Sequence, residues 1–198
     1  MPETSLTVIT DSLDRLAAAA ALISQANQAA PTPCAEWTVT QVLQHAAGDQ
    51  LAWAAALGVG RGPDGNPFEP SGRLGQGVGE LLDPALATAR TAWAKIGSVD
   101  EAVPTPLPQG ELPVPVAAAA CALDAAIHAW DIAAALGQPG FLSDDLATQL
   151  LPARTIIEPL RQFGVYAAAL APQSADGPAA ELLRYLGRDP QWRAADQA

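Results

Sequence analysis

Apolar residues recur at the spacing of an α-helix along most of this chain, and glycine or proline residues separate the segments. In residues 5–28 the apolar positions follow the 3.6-residue period of an amphipathic helix; they are Leu6, Ile9, Leu13, Leu16, Ala20 and Ile23. Pro31 and Pro33 end this first predicted helix, because proline lacks the backbone donor that a helix interior needs. The pattern therefore predicts an all-α fold.

The second predicted helix carries a start signal. Thr38 and Gln41 have the Thr-x-x-Gln spacing of a capping box, in which each side chain satisfies the other residue's backbone donor. The helix is predicted from near Val39 to about Leu57. His45 lies in its second turn.

Residues 58–79 contain eight glycines and three prolines, a composition that predicts a long loop. Within this loop, residues 75–79 read Gly-Gln-Gly-Val-Gly and look like a phosphate-binding loop. They follow no predicted strand and have no nearby lysine, so we interpret them as linker. A third helix is predicted from about Asp83, as the N-cap, and Pro84 to Ile96.

The second half of the chain alternates between extended and helical patterns. Five prolines in residues 104–115 favour extended chain, and Gln109-Gly110 between two apolar arms predicts a short hairpin turn with edge strands. The remaining predicted helices are an alanine-rich one from Pro115 to Leu136, ended by Gly137 with Pro139 beyond it, a stretch from Ser143 to about Phe163 interrupted at Pro152 and Pro159, and a short helix from about Ala179 to Leu186.

The length and composition suit one globular domain. The chain has 198 residues, of which 49% are apolar and 16% are charged, and a domain of this size buries a core without disulfides or a structural metal. We predict a single domain over residues 1–198, with a bundle core in 1–140 and a C-terminal helical extension in 141–198.

The charge and the apolar runs exclude several classes of partner. Ten Lys and Arg against 21 Asp and Glu give a net charge of −11, which repels phosphate backbones and anionic lipid surfaces. The apolar runs Leu16–Ile23 and Val114–Leu123 are shorter than the roughly 20 residues that cross a bilayer. The acidic N-terminus is unlike a secretory signal. We expect no nucleic-acid or membrane partner, a cytoplasmic location, and free thiols at Cys34 and Cys121.

Three side chains have the spacing of a metal site. Asp124 and His128 are four residues apart on one predicted helix, so their side chains share a face. His45, the other of the two histidines, lies on a helix face that its apolar neighbours turn toward the core. Two imidazoles and a carboxylate form an open site for a divalent metal with one position left for water or substrate. Zinc is our first choice, and nickel, iron and manganese accept the same ligands.

The same spacing has simpler interpretations. A carboxylate and a histidine at helical spacing also form ordinary surface pairs, and a single buried histidine is commonly a hydrogen-bonded core residue. Asp49 and Asp131 either orient the imidazoles as hydrogen-bond acceptors or are solvated. Cys121 either lines the pocket or is a small buried filler of the core.

The sequence lacks the residue patterns that catalysis by a cysteine or a serine nucleophile needs. Neither Cys34 nor Cys121 has the local signature of a cysteine nucleophile with its base and orienting group. The chain contains no Gly-x-Ser-x-Gly segment, so a serine hydrolase of that type has no nucleophile elbow.

Several segments together resemble a known family. The resemblance covers most of the chain and is carried by residues 31–39 (Pro-Thr-Pro-Cys-Ala-Glu-Trp-Thr-Val), His45-Ala46-Ala47-Gly48, residues 124–133 (Asp-Ala-Ala-Ile-His-Ala-Trp-Asp-Ile-Ala), residues 134–139 and residues 186–192 (Leu-Gly-Arg-Asp-Pro-Gln-Trp). The combination resembles the actinobacterial DinB-like proteins related to mycothiol-dependent maleylpyruvate isomerase.

This resemblance implies a DinB-like up-down-down-up four-helix bundle that holds a divalent metal between its helices. It implies His45, Asp124 and His128 as the metal ligands, with Asp124 at a position where relatives often have glutamate. It also implies a metal-dependent transferase for mycothiol or a related small thiol, acting on a small electrophile. The isomerase has a second, C-terminal domain, and we expect the roughly 60 residues after the fourth helix to be too few for an equivalent one.

Two other functions fit the same residues. In the first, the protein is a metal-binding helical module without catalytic turnover, used in sensing, storage, the stress response or protein interaction. In the second, the metal site has decayed and the protein acts through its surfaces alone. Related bundles often pair, so a homodimer is a further expectation of the resemblance.

Overall fold

The computed structural model describes residues 3–34, 37–138, 140–162 and 164–194. Its elements in chain order are the helices α1 (Glu3–Ala20), α2 (Val39–Ala56) and α3 (Val78–Trp93), the strands β1 (Ala102–Pro104) and β2 (Glu111–Pro113), and the helices α4 (Val114–Ala135), α5 (Asp144–Leu150), α6 (Arg154–Arg161) and α7 (Pro178–Tyr185), with a single 3₁₀ turn at Leu151–Ala153. The prediction of an all-α fold is confirmed. Pro139, beyond the predicted end of the fourth helix, and Phe163, the predicted end of the fifth helical stretch, lie outside the described residues.

The four long helices enclose the main core. Helix α1 packs against α3 and α4, and α2 packs against the same two helices. Helix α4 is buried on nearly every side, because its many alanines let neighbouring helices approach closely. It is also long and apolar enough to cross a membrane by length and composition, a test that a buried core helix passes equally well. The up-down-down-up order of the helices stays a prediction.

The predicted start of α2 is confirmed. The backbone amide of Gln41 donates to Thr38 Oγ1 at 3.4 Å, and the backbone amide of Thr38 donates to Gln41 Oε1 at 3.0 Å. Thr32 Oγ1 also donates to the Trp37 carbonyl at 2.9 Å. These bonds fix the chain that leads into α2 and thereby the helix that carries His45.

Two predicted helix boundaries are wrong. Helix α1 ends at Ala20, because the Asn27 side chain accepts from the Ser24 amide at 2.8 Å and donates to the Leu22 carbonyl at 3.1 Å, which holds turns instead of helix. Helix α3 begins at Val78, well before the predicted cap at Asp83, and Pro84 lies inside it. The buried Leu82 extends the apolar face of α3 across the proline.

The predicted hairpin is confirmed. Strands β1 and β2 are antiparallel, with Val103 opposite Leu112, and the turn between them contains Gly110 at φ 77°. The short pair leads directly into α4.

Candidate metal centre

The structure brings the three predicted site residues together from two helices. His45 Nε2 on α2 lies 3.4 Å from Asp124 Oδ1, and His128 Nε2 on α4 lies 3.3 Å from the same oxygen. One donor atom from each residue lies within 4.8 Å of the other two. Both imidazoles are buried. The three side chains therefore lie close together, and their role as metal ligands stays a prediction.

The other ring nitrogen of each histidine already has an acceptor. His45 Nδ1 lies 3.0 Å from the carbonyl oxygen of Pro67, and His128 Nδ1 lies 3.0 Å from Asp131 Oδ2. A carbonyl and a carboxylate only accept hydrogen bonds, so both Nδ1 atoms carry the proton. In the neutral rings each Nε2 lone pair is left facing the Asp124 oxygen.

This proton count tests whether a cation fits the residues. A neutral imidazole has one N–H, but each ring here has acceptors at both nitrogens. Without a cation, two extra protons are needed to satisfy the two Nε2 contacts with Asp124. A divalent ion held by His45, His128 and Asp124 would take the place of those protons. The donor set and its tautomers therefore fit a divalent metal.

The charges of the site support each other. Burial alone lowers the pKa of His128, but Asp124 and Asp131 outweigh it and raise this pKa to about 9. Burial alone raises the pKa of Asp124, but His128 and His45 outweigh it and hold this pKa well below its usual range. The site therefore favours a carboxylate beside positive charge.

The loop between α2 and α3 forms one side of the site. A Cβ added to Gly48 on α2 would lie 3.1 Å from Pro67 Cβ, so the glycine allows the loop to approach the helix closely. The Phe68 ring lies 5.1 Å from the His45 ring and is 50% exposed. The Trp37 ring lies 4.7 Å from the His45 ring on the other chain segment. Aromatic walls thus border the two imidazoles.

Asp49 and Cys121 do not take the roles of ligand or orienting residue. Asp49 Oδ2 accepts from Trp53 Nε1 at 3.0 Å, and burial together with Asp124 raises the pKa of Asp49. Trp93 Nε1 donates to Cys121 Sγ at 3.3 Å, and the thiol is fully buried. For Cys121 the structure favours the buried filler.

Gln50 is a site residue that was not predicted from the sequence. Its Nε2 donates to Asp124 Oδ2 at 3.5 Å, and its Oε1 accepts from Cys121 Sγ at 3.3 Å. The side chain is fully buried between α2 and α4. The position of Gln50 among the apolar residues of a predicted helix agrees with burial. It does not identify the partners of Gln50, which lie more than 70 residues away in sequence.

Asp131 orients the imidazole of His128 and is itself bound by Arg188. Arg188 Nε donates to Asp131 Oδ1 at 2.9 Å, and Arg188 Nη2 donates to Oδ2 at 2.9 Å. Both side chains are buried. From the sequence, Arg188 belonged only to the segments that carry the family resemblance, and no role was predicted for it.

Cys34 lies beside the site. Its Sγ belongs to a second group of neighbouring donor atoms with His128 and Asp131. Burial, with a further contribution from Asp131, raises the pKa of the Cys34 thiol to about 12. The thiol is therefore neutral at physiological pH, which agrees with the absence of a nucleophile signature. Both cysteines are free, as predicted.

Comparison with known proteins places the chain in a family. The sequence profile of the mycothiol maleylpyruvate isomerase N-terminal domain matches residues 9–133. Uncharacterized proteins of two Mycobacterium tuberculosis strains, CDC 1551 / Oshkosh and ATCC 25618 / H37Rv, are each 33% identical over 181 residues, which is 88% of this chain and 92% of each relative.

Two crystal structures have the same fold. Both are of mycothiol-dependent maleylpyruvate isomerase, one of them a histidine-to-alanine mutant, with TM-scores of 0.54 and 0.55 and identities of 18% and 16%. The match covers 67% of this chain and 60% of the isomerase chain. The profile match spans more than half of this chain, and the identity with the mycobacterial relatives extends over most of it. The chain therefore belongs to the mycothiol maleylpyruvate isomerase N-terminal domain family.

Proposed function

We propose that this protein binds one divalent metal ion through His45, Asp124 and His128 and transfers a small thiol, mycothiol or a relative of it, to a small electrophile. The single observation that supports the metal most strongly is the pair of Nε2 atoms facing one oxygen of Asp124 at 3.4 and 3.3 Å while both Nδ1 atoms are occupied. The thiol is proposed from the family to which the chain belongs.

Zinc is the proposed ion, with nickel, iron or manganese as alternatives, because two imidazoles and a carboxylate suit all four. When bound, such an ion lowers the pKa of a thiol so that its thiolate, the competent nucleophile, exists at neutral pH. Asp124 has a shorter side chain than the glutamate that the family resemblance implies at this position.

The chain's own residues prepare the site in three ways. Pro67 and Asp131 hold the Nδ1 protons, so both Nε2 lone pairs stay available. Gln50 donates to the second oxygen of Asp124, which orients the carboxylate. Trp37 and Phe68 exclude water beside the imidazoles, and the exposed half of Phe68 offers an apolar contact for an entering substrate.

We propose a small molecule as the electrophile. The chain spans 60% of the length of the solved isomerase structures, so we do not extend maleylpyruvate isomerisation to it. A single domain, a cytoplasmic location and a homodimer remain parts of the proposal, as does the absence of nucleic-acid and membrane partners.

The test is a conjugation assay with purified, zinc-loaded protein, mycothiol and a panel of electrophiles, followed by loss of the free thiol. We expect conjugation that His128→Gln abolishes and that Arg184→Met leaves unchanged, because Arg184 pairs with Asp176 and neither residue contributes a donor atom to the metal centre. Stoichiometric metal without conjugation of any electrophile would instead support the non-catalytic metal-binding module. Absence of both would support a protein that acts through its surfaces.

A further inference from the structure

The C-terminal segment reaches the metal centre through one buried ion pair. Asp131 is fully buried on α4, and both of its oxygens accept hydrogen bonds from Arg188, which lies 57 residues later. The same Asp131 Oδ2 lies 3.0 Å from His128 Nδ1. A continuous chain of contacts therefore runs from Arg188 through Asp131 to His128.

The local backbone is built to turn Arg188 inward. Helix α7 ends in a Schellman motif: the Arg188 amide donates to the Leu183 carbonyl at 2.9 Å, and the Gly187 amide donates to the Arg184 carbonyl at 2.9 Å. Gly187 has a φ of 81°. A Cβ there would lie 2.7 Å from Ala167 Cβ, so only glycine fits this position without a shift of its neighbours.

The fork of Arg188 fixes the plane of the Asp131 carboxylate. Two N–H groups bind its two oxygens side by side, a geometry that planar guanidinium provides and that a lysine ammonium lacks. With the plane fixed, Oδ2 points at His128 Nδ1 and holds the proton there. The Nε2 lone pair of His128 then stays directed toward Asp124.

We infer that Arg188 is a positioning residue for the metal centre, which acts on His128 through Asp131 and couples the C-terminal segment to metal affinity. The inference rests on the proposed function, since it concerns the same three ligands. Partners that orient a metal-binding histidine typically change metal affinity by about 10- to 100-fold when removed. A purely structural ion pair would change stability and leave that affinity alone.

The chain offers a matched control. Arg184, four residues earlier, also forms a buried ion pair, with its Nε donating to Asp176 Oδ2 at 2.8 Å. Arg184 is 6% exposed and Arg188 is 8% exposed. Neither Arg184 nor Asp176 contributes a donor atom to the metal centre. Arg184→Met therefore removes a comparable ion pair from the same segment without touching His128.

The experiment measures zinc affinity by competition with a chromophoric chelator in the full-length protein. We expect Arg188→Met to weaken zinc binding by about tenfold or more, and Arg184→Met to leave it unchanged. Arg188→Lys should weaken it less than Arg188→Met, because charge remains and the fork is lost. In the double variant with Asp131→Asn, Arg188→Met should add no further loss, because both substitutions break the same chain of contacts.

Unchanged zinc affinity in folded Arg188→Met, or an equal loss in Arg184→Met, would overturn the inference. If Arg188→Met does not fold, Arg188→Lys replaces it in the experiment. Unchanged zinc affinity in folded Arg188→Lys would also overturn the inference. If the wild-type protein binds neither zinc nor nickel, iron or manganese, the proposed function fails, and a second measurement still decides this inference. In imidazole ¹H–¹⁵N spectra of metal-free protein, we expect a protected His128 Nδ1–H that Arg188→Met removes and Arg184→Met retains; its retention in both variants would overturn the inference.

Discussion

Each histidine of the candidate site has both ring nitrogens committed. Pro67 and Asp131 take the Nδ1 protons, and the two Nε2 atoms share one oxygen of Asp124. A neutral imidazole satisfies only one such acceptor. In the metal-free protein Asp124 and Asp131 raise the pKa of His128 to about 9, although burial alone lowers it.

The raised pKa predicts how the stability of metal-free protein depends on pH. The ordinary pKa of His128 is 6.5 and its raised value is about 9, so between these values the folded state binds more protons than the unfolded state. This contribution to the free energy of unfolding is fully present below about pH 6.5 and is lost as the pH rises through about 9. Urea unfolding of chelator-treated protein at a series of pH values measures it.

The matched control for this prediction is His128→Gln, which removes the titrating ring. We expect a shallower fall of the unfolding free energy with pH in the variant. Equal slopes in both proteins would show that His128 is not the group responsible.

At the scale of single elements, two helix ends with the same motif allow a direct comparison. Gly137 after α4 and Gly187 after α7 both close Schellman motifs, at φ 71° and 81°. A Cβ at Gly137 meets nothing within 4 Å, whereas one at Gly187 meets Ala167 Cβ at 2.7 Å and the Ala168 carbonyl oxygen at 2.8 Å.

We therefore predict that Gly137→Ala costs about 1 kcal/mol, the strain of a left-handed alanine. Gly187→Ala carries the same strain and must also displace its neighbours, so it should cost more and weaken zinc binding, because Arg188 follows it directly. Thermal unfolding and the chelator competition measure the two effects. Equal stability losses, or normal zinc affinity in Gly187→Ala, would be inconsistent with this description.

Some features of the helices could be predicted from the sequence and others could not. The start of α2 was predictable because the Thr38–Gln41 capping box is local, and the approach of Asp124 to His128 was predictable because both lie on one helix face. The start of α3 was not, since Pro84 and Asp83 give a strong start signal that the buried Leu82 overrides.

The contacts that complete the site could not be predicted from the sequence either, because they join segments that are far apart along the chain. Arg188 pairs with a residue 57 positions away, and Gln50 with one 74 positions away. No local pattern encodes such pairs, because they depend on how separate segments pack. Pro67 contributes only its backbone carbonyl, which every residue type has. Side-chain identity is thus a guide to the ligands and a poor guide to the groups that orient them.

At the scale of the whole molecule, the C-terminal helices share the core of the long ones. Leu150, Ile157 and Leu186 are fully buried and belong to the same continuous cluster as the apolar side chains of α1 to α4. Arg188 adds a polar link from this segment to α4. The described part of the predicted extension, residues 141–162 and 164–194, therefore shares the core and contacts Asp131 beside the site.

A shared core predicts one cooperative unfolding transition for the chain. Far-UV circular dichroism reports all helices. In a Trp192→Phe variant the remaining tryptophans, among them Trp53 and Trp93, all precede the C-terminal extension, so the fluorescence of this variant reports the long helices and the segments around them. We expect the two signals to change with the same midpoint. A separate earlier transition seen only by circular dichroism would indicate that the C-terminal helices unfold on their own.

The most direct test of the proposed centre is the metal content of protein purified without added metal and then titrated with zinc. We predict one equivalent of a divalent metal in the wild-type protein and in Arg184→Met, and none in His45→Ala or His128→Ala at the same protein concentration. Stoichiometric metal in both histidine variants, or no binding to the wild-type protein, would contradict the proposal that His45, Asp124 and His128 hold a shared ion.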